Sequence, residues 1–133
     1  MSKLNLGLGH IGIIVKDLEV SKKFYCDNLD FTVTHENTLT ENGEVTKISF
    51  VEAGGCTLEL IQVPHYSKRV NGPVDHIAFK VVDIESAWKQ LKAKGILFET
   101  ESVTTAPGFF EKGDRWILFS GPDGERLEIN EIL

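Results

Sequence analysis

The sequence predicts an α+β fold of two βαβββ modules within a single domain spanning residues 1–133. Three observations carry this. First, the chain repeats itself. His10-Ile11-Gly12-Ile13-Ile14-Val15-Lys16-Asp17-Leu18-Glu19 aligns with His76-Ile77-Ala78-Phe79-Lys80-Val81-Val82-Asp83-Ile84-Glu85 at an offset of 66 residues. Gly55-Cys56-Thr57-Leu58-Glu59-Leu60 aligns with Gly124-Glu125-Arg126-Leu127-Glu128-Ile129 at an offset of 69. Second, that period is too long for solenoid repeats of roughly 20 to 50 residues, so two copies of one small module are implied. Third, each copy carries one helix-period segment among strand-period segments in the same order. The modules cover about residues 6–64 and 73–133, and the three-residue difference in offset places a longer loop in the second, around 105–114.

In the first module, residues 8–15 are a β-branched run between Gly9 and Lys16-Asp17 and read as a strand. Asp17 is positioned to cap a helix over 18–29, with Val20, Phe24 and Leu29 toward one side. Strands over 32–36, 45–52 and 56–62 follow, separated by turns at Glu41-Asn42-Gly43 and Ala53-Gly54-Gly55. In the second module, 77–81 is the opening strand and Asp83 caps the helix. Ile84, Trp88 and Leu91 fall at helical spacing, and Gly95 closes the segment after Lys92 and Lys94. Strands over 96–100, 116–120 and 126–131 complete it, the last two joined by Gly121-Pro122-Asp123-Gly124.

Composition excludes several function classes. The 133 residues are 41% apolar and 26% charged, an ordinary globular balance. With 14 Lys and Arg against 20 Asp and Glu, the net charge of −6 lacks the clustered basic surface a nucleic acid requires. No apolar run approaches the roughly 18 residues of a membrane span. The start, Met1-Ser2-Lys3-Leu4-Asn5, shows no secretory pattern, and Cys26 and Cys56 read as reduced thiols, so a cytoplasmic location is expected.

Strand alternation then singles out four side chains. Ile11, Ile13 and Val15 form the face expected to meet the helix, which turns His10, Gly12 and Ile14 to the other. The same parity buries Ile77, Phe79 and Val81 and turns His76 away with Ala78 and Lys80. Leu58 and Leu60 face the helix while Glu59 does not; Leu127 and Ile129 do so while Glu128 does not. Two His and two Glu therefore occupy matching positions of matching strands on the non-helix face. Should two curved modules pair, the four converge on one cleft between mixed sheets. Imidazole and carboxylate together suit one divalent transition metal, such as Zn, Ni, Co, Mn or Fe.

The paired His-Ile openings, the Leu-Glu-Leu and Leu-Glu-Ile endings and Gly121-Pro122-Asp123-Gly124 before Glu128 resemble the vicinal oxygen chelate superfamily over nearly the whole chain. That group includes glyoxalase I, methylmalonyl-CoA epimerase, extradiol dioxygenases, fosfomycin-resistance enzymes and metal-free bleomycin-binding proteins. The resemblance implies the glyoxalase/bleomycin-resistance/dioxygenase fold, with His10, Glu59, His76 and Glu128 as ligands of one divalent ion (Zn, Ni, Co or Mn). It further implies an enzyme, a glyoxalase I-like lyase or isomerase that chelates adjacent oxygens of a small carbonyl or thioester substrate. Such an enzyme moves a proton between neighbouring carbons through an enediolate. Glu128 is the expected base and Glu59 the second candidate. A methylmalonyl-CoA epimerase-like isomerase is the alternative, and a non-catalytic drug-binding protein the second. Small glutathione-dependent members commonly carry Arg where this chain has Ile14, and some epimerases carry a Glu where it has Lys47. A homodimer is expected, because open curved sheets leave edges to cover.

Other residues are softer candidates. Phe109, Phe110 and Trp116 flank the long loop and suit either a lid or edge packing. Lys80 and Arg126 share the parity of the four ligands and suit an anionic substrate group. His35 and His65 read as solvated, Tyr25 and Cys26 as structural, and Cys56 as lacking a nucleophile's partners.

Overall fold

A computed structural model of the chain describes residues 6–68 and 72–133. It divides into two compact units, Met1–Ser67 and Lys68–Leu133, that repeat one architecture. The first contains β1 (Ile11–Val15), α1 (Leu18–Leu29), β2 (Thr32–Glu41), β3 (Glu44–Ala53) and β4 (Cys56–Gln62). The second contains β5 (Ile77–Lys80), α2 (Ile84–Ala93), β6 (Thr104–Ala106), β7 (Asp114–Ser120) and β8 (Arg126–Ile132). Each forms a four-stranded mixed sheet, ordered β1-β4-β3-β2 and β5-β8-β7-β6, in which the opening strand runs parallel to the closing one. The α+β class and the doubled βαβββ order are thus as the sequence predicts.

Register is repeated as faithfully as element order. Gly12 lies opposite Glu59 across β1 and β4, and Ala78 lies opposite Glu128 across β5 and β8. The helix starts are repeated too. Asp17 accepts from the N–H groups of Glu19 and Val20, and Asp83 accepts from that of Ser86. A second cap reaches across from the sheet in both units: the Leu18 N–H donates to Gln62 Oε1 at 2.7 Å, and the Ile84 N–H to Glu131 Oε1 at 2.9 Å. These bonds satisfy first-turn donors that have no partner inside the helix and tie each helix to the strand that closes its module.

Behind each sheet the helix covers an apolar face. Ile13, Val15, Leu58, Leu60 and Val51 are almost wholly enclosed in the first unit, with Leu18 and Tyr25 of α1 above them. Ile117, Phe119, Leu127 and Ile129 with Ile84 and Leu91 fill the same role in the second. Each such side chain contributes about 1.5–3 kcal/mol of transfer free energy. The opening strands differ. Ile13 and Val15 are buried, whereas Ile77, Phe79 and Val81, expected to be buried, are only half-buried. The helix behind them is shorter, with ten residues in α2 against twelve in α1, and so covers less of the sheet.

Two further strands depart from expectation. β2 runs to Glu41 rather than ending near residue 36, because Asn42 and Gly43 take φ of 53° and 77° and allow a two-residue hairpin with ladder pairing up to Glu41 and Glu44. The strand expected over 96–100 is reduced to one bridge, Phe98 to Phe119. Thr100 then hydrogen-bonds the Ser102 carbonyl, and pairing on β7 resumes only at β6, within residues expected to be loop. The turn at Gly121-Pro122-Asp123-Gly124 stands as predicted. Its first glycine is required because the Glu125 side chain lies against it, where an added Cβ would meet the carboxylate at 2.0 Å.

Candidate metal centre

The four predicted side chains are placed as two His–Glu pairs, one per unit. His10 enters β1, and its Nε2 lies 3.2 Å from Oε1 of Glu59 on the neighbouring β4. His76 enters β5, and its Nε2 lies 3.8 Å from Oε1 of Glu128 on the neighbouring β8. Parallel pairing of opening and closing strands makes each pair: residues 66 apart in the repeat meet partners 69 apart because the register is identical. Among the described residues no group of three or more His, Cys, Asp or Glu stands ready-made around one point, so the four predicted residues stand as two separate two-donor pairs.

The pairs fit a divalent ion. Donors about 2.1 Å from one ion and at right angles to each other lie about 3.0 Å apart. The His10–Glu59 separation of 3.2 Å is close to that, and His76–Glu128 is wider by less than an ångström. Neutral imidazole with carboxylate is also a donor set that zinc, nickel, cobalt and manganese accept.

The surroundings of the two pairs differ. In the first unit the His10 ring meets Phe50 edge-on at 5.7 Å, and a methyl group on Gly12 would touch Ile61 and Glu59 at 3.7 and 3.8 Å. In the second, His76 Nδ1 lies 2.9 Å from Asp75 Oδ2. The same Asp75 oxygen accepts from Arg126 Nη1 at 2.6 Å, while Arg126 Nε and Nη2 grip both oxygens of Glu99 at 2.8 and 2.9 Å. Those contacts with His76 and Arg126 hold Asp75 below the ordinary carboxylate range, and Arg126 does the same for Glu99. Glu128 moves the other way. Burial is the main cause of its raised pKa, and its side chain is 12% exposed against 20% for Glu59.

Sequence reading missed Asp75, Glu99 and the caps at Gln62 and Glu131. The caps had a signal, since Gln62 and Glu131 stand at the same 69-residue offset as Glu59 and Glu128. Arg126, considered for a substrate anion, has its donors engaged by Glu99 and Asp75. Lys80 is exposed. His65 pairs with Glu44 at 2.7 Å, without a counterpart in the second unit's repeat, and His35 lies edge-on to Phe50. Cys26 and Cys56 are free, and burial raises both thiols above their ordinary range, which keeps them protonated at neutral pH. Phe109 stacks on Trp116 at 5.8 Å with nearly parallel rings, and Phe110 is exposed beside it. Among the described residues no helix is long and apolar enough to cross a membrane.

Residues 7–129 match the Glyoxalase/Bleomycin resistance protein/Dioxygenase superfamily. The chain belongs to that superfamily. Within it, the chain is 36% identical over 126 residues to YwkD of Bacillus subtilis (strain 168), covering 92% of this chain and 94% of YwkD. It is 26% identical over 142 aligned positions to a 2-epi-5-epi-valiolone epimerase from Actinomyces sp, covering 90% of this chain and 76% of the epimerase. Among solved structures, a glyoxalase family protein from Enterococcus faecalis superposes with a TM-score of 0.78 at 27% identity, covering 95% and 98% of the two chains. The fosfomycin resistance protein FosX from Listeria monocytogenes, complexed with Mn(II) and sulfate, superposes with a TM-score of 0.70 at 20% identity over 98% and 95% of the chains. At that identity FosX shares the superfamily fold.

Proposed function

We propose that this superfamily member is a divalent-metal-dependent lyase or isomerase of the glyoxalase I kind. In this reading both units act as one domain and His10, Glu59, His76 and Glu128 hold the ion. The observation that carries it is the pair of His–Glu contacts at identical strand positions in both repeats. Chance retention of one such pair is ordinary; retention of both at one register points to a shared ligand. The Mn(II) bound by FosX supports the metal class.

When bound, the ion supplies Lewis-acid stabilisation of charge developing on adjacent substrate oxygens. The chain supplies the proton chemistry. Glu128 is the base, being the more enclosed of the two glutamates, and its carboxylate takes the proton from the carbon beside a carbonyl. Glu59, on β4 of the first unit, is the second candidate base. The substrate is a small carbonyl or thioester compound, and the working form is a homodimer.

An epimerase is the second reading, and two observations favour it. Ile14 stands where small glutathione-dependent members commonly carry Arg, and the Actinomyces relative is itself an epimerase. Both reactions begin with the same proton abstraction; a lyase of the glyoxalase kind returns the proton to the neighbouring carbon, an epimerase to the same one. Assays in deuterated water with methylglyoxal plus a thiol, and with methylmalonyl-CoA, separate them by the carbon that gains deuterium. Protein offered Mn(II), Ni(II), Co(II) and Zn(II) should bind one of them and lose it in His76→Ala. Failure to bind any, or binding undiminished by that substitution, removes the metal-dependent reading and leaves a small-molecule-binding protein.

A further inference from the structure

We infer that Asp75, held in place by Arg126 and Glu99, is a positioning residue that fixes the tautomer and aim of His76. The inference rests on the reading of His76 as a ligand. A neutral imidazole carries one proton on either nitrogen, and only the unprotonated nitrogen can face a metal. His76 Nε2 is the nitrogen turned toward Glu128, so an ion shared with Glu128 requires the proton on Nδ1, the nitrogen with the nearer carboxylate. Asp75 Oδ2 lies 2.9 Å from Nδ1, which gives that proton an acceptor. Outer carboxylates of this kind orient ligand histidines and raise their basicity.

Asp75 is about half-exposed, and an exposed carboxylate on its own has many orientations. Here it has one. Arg126 Nη1 donates to the same Oδ2, and the other donors of that guanidinium are locked on both oxygens of Glu99. The chain of contacts joins the entry of β5, the first residue of β8, and the segment that bridges to β7. Exposed ion pairs of this kind contribute little to stability, which leaves orientation of the ring as their physical consequence.

The first unit supplies an internal control. Gly9 and Thr57 stand at the repeat positions of Asp75 and Arg126, so His10 has no counterpart of this chain of contacts. Its ring is instead set against Phe50. His76 should therefore respond to changes at residue 75 while His10 does not.

The test uses the full chain, 15N-labelled and stripped of metal with a chelator, at about pH 8, where an ordinary histidine is neutral. Long-range proton–nitrogen correlation spectra report which ring nitrogen carries the proton. Wild type should show His76 protonated at Nδ1. Asp75→Ala should move that proton wholly or partly to Nε2. Asp75→Asn keeps an acceptor oxygen and should retain the wild-type pattern, and His10 should be unchanged in both. Titration with Mn(II) should show affinity about 10- to 100-fold weaker in D75A, recovered in large part by D75N. A His76 tautomer unchanged in D75A, or Nε2 already protonated in wild type, overturns the positioning role. Wild-type protein that shows the Nδ1 tautomer yet binds no Mn(II), Ni(II), Co(II) or Zn(II) refutes the ligand reading instead.

Discussion

The two units share a backbone plan down to single hydrogen bonds and differ in what surrounds their His–Glu pairs. Glu59 faces Gly12 and Glu128 faces Ala78 in equivalent ladders, and Gln62 and Glu131 cap the two helices in equivalent ways. Around this frame the side chains have diverged. His10 and Glu59 stand among Phe50 and Ile61, whereas His76 is tied to Asp75 and Glu128 is more enclosed than Glu59. A repeated backbone thus preserves where donors stand, while neighbouring side chains decide what each donor does. The second unit carries a histidine in contact with a carboxylate and the more enclosed glutamate; the first carries its pair beside Phe50 and Ile61.

The sharpest way to break that asymmetry is to neutralise the glutamates in turn. Glu128→Gln should reduce proton exchange at the substrate carbon about 10²- to 10⁴-fold, the range for removing a general base. Glu59→Gln should cost only about 10- to 100-fold, through weaker metal binding. Equal losses in steady-state and deuterium-exchange assays would make the units chemically equivalent.

Stability should show the symmetry that the proposed proton chemistry lacks. Leu60 and Ile129 are repeat partners, both almost wholly buried. Leu60→Ala and Ile129→Ala should each cost about 2–5 kcal/mol in urea unfolding. A loss confined to one would mean that the other unit is dispensable to the fold.

The caps should be matched at a smaller scale. Gln62→Ala and Glu131→Ala should each destabilise by about 0.5–2 kcal/mol. Glu131→Gln should cost at most about 0.3–1 kcal/mol, since Gln62 already performs the same role uncharged and only the attraction of a carboxylate to the helix N-terminus is lost.

The smallest effect is an acid-side difference confined to the first unit. Hydrogen bonds from Lys22 and Ser49 hold Glu36 below its ordinary 4.5. A carboxyl so lowered adds stability above its unfolded pKa and loses it as pH falls through the folded one. Stability measured from pH 6 down to pH 3 should therefore fall less steeply in Glu36→Gln than in wild type. Identical slopes would show that the contact contributes nothing.

Much of this was legible in the sequence because repetition amplifies weak local signals. Asp17 and Asp83, the Asn42-Gly43 turn and the alternation around Leu58 and Leu127 each speak through a short-range rule, and two copies of a rule outweigh one. The strand expected over 96–100 is not formed, and its apolar run says nothing of the Thr100 side chain bonding the Ser102 carbonyl, or of pairing resumed at Thr104. Ile77 and Phe79 were assigned to the core because alternation gives a face but not how far a helix covers it. Asp75 and Glu99 were invisible for another reason. Their roles arise from Arg126, which meets them only through tertiary pairing 51 and 27 residues away.

Metal content tests the central claim most directly. Wild type, His10→Ala and His76→Ala should be purified without added metal, then loaded with Mn(II), Ni(II), Co(II) or Zn(II) and analysed by elemental mass spectrometry with circular dichroism as a folding control. The account predicts one divalent ion per chain in wild type and loss of that ion in each folded single variant, since both halves are needed to hold it. Retention of the full ion by either variant, or no ion in wild type, would contradict it.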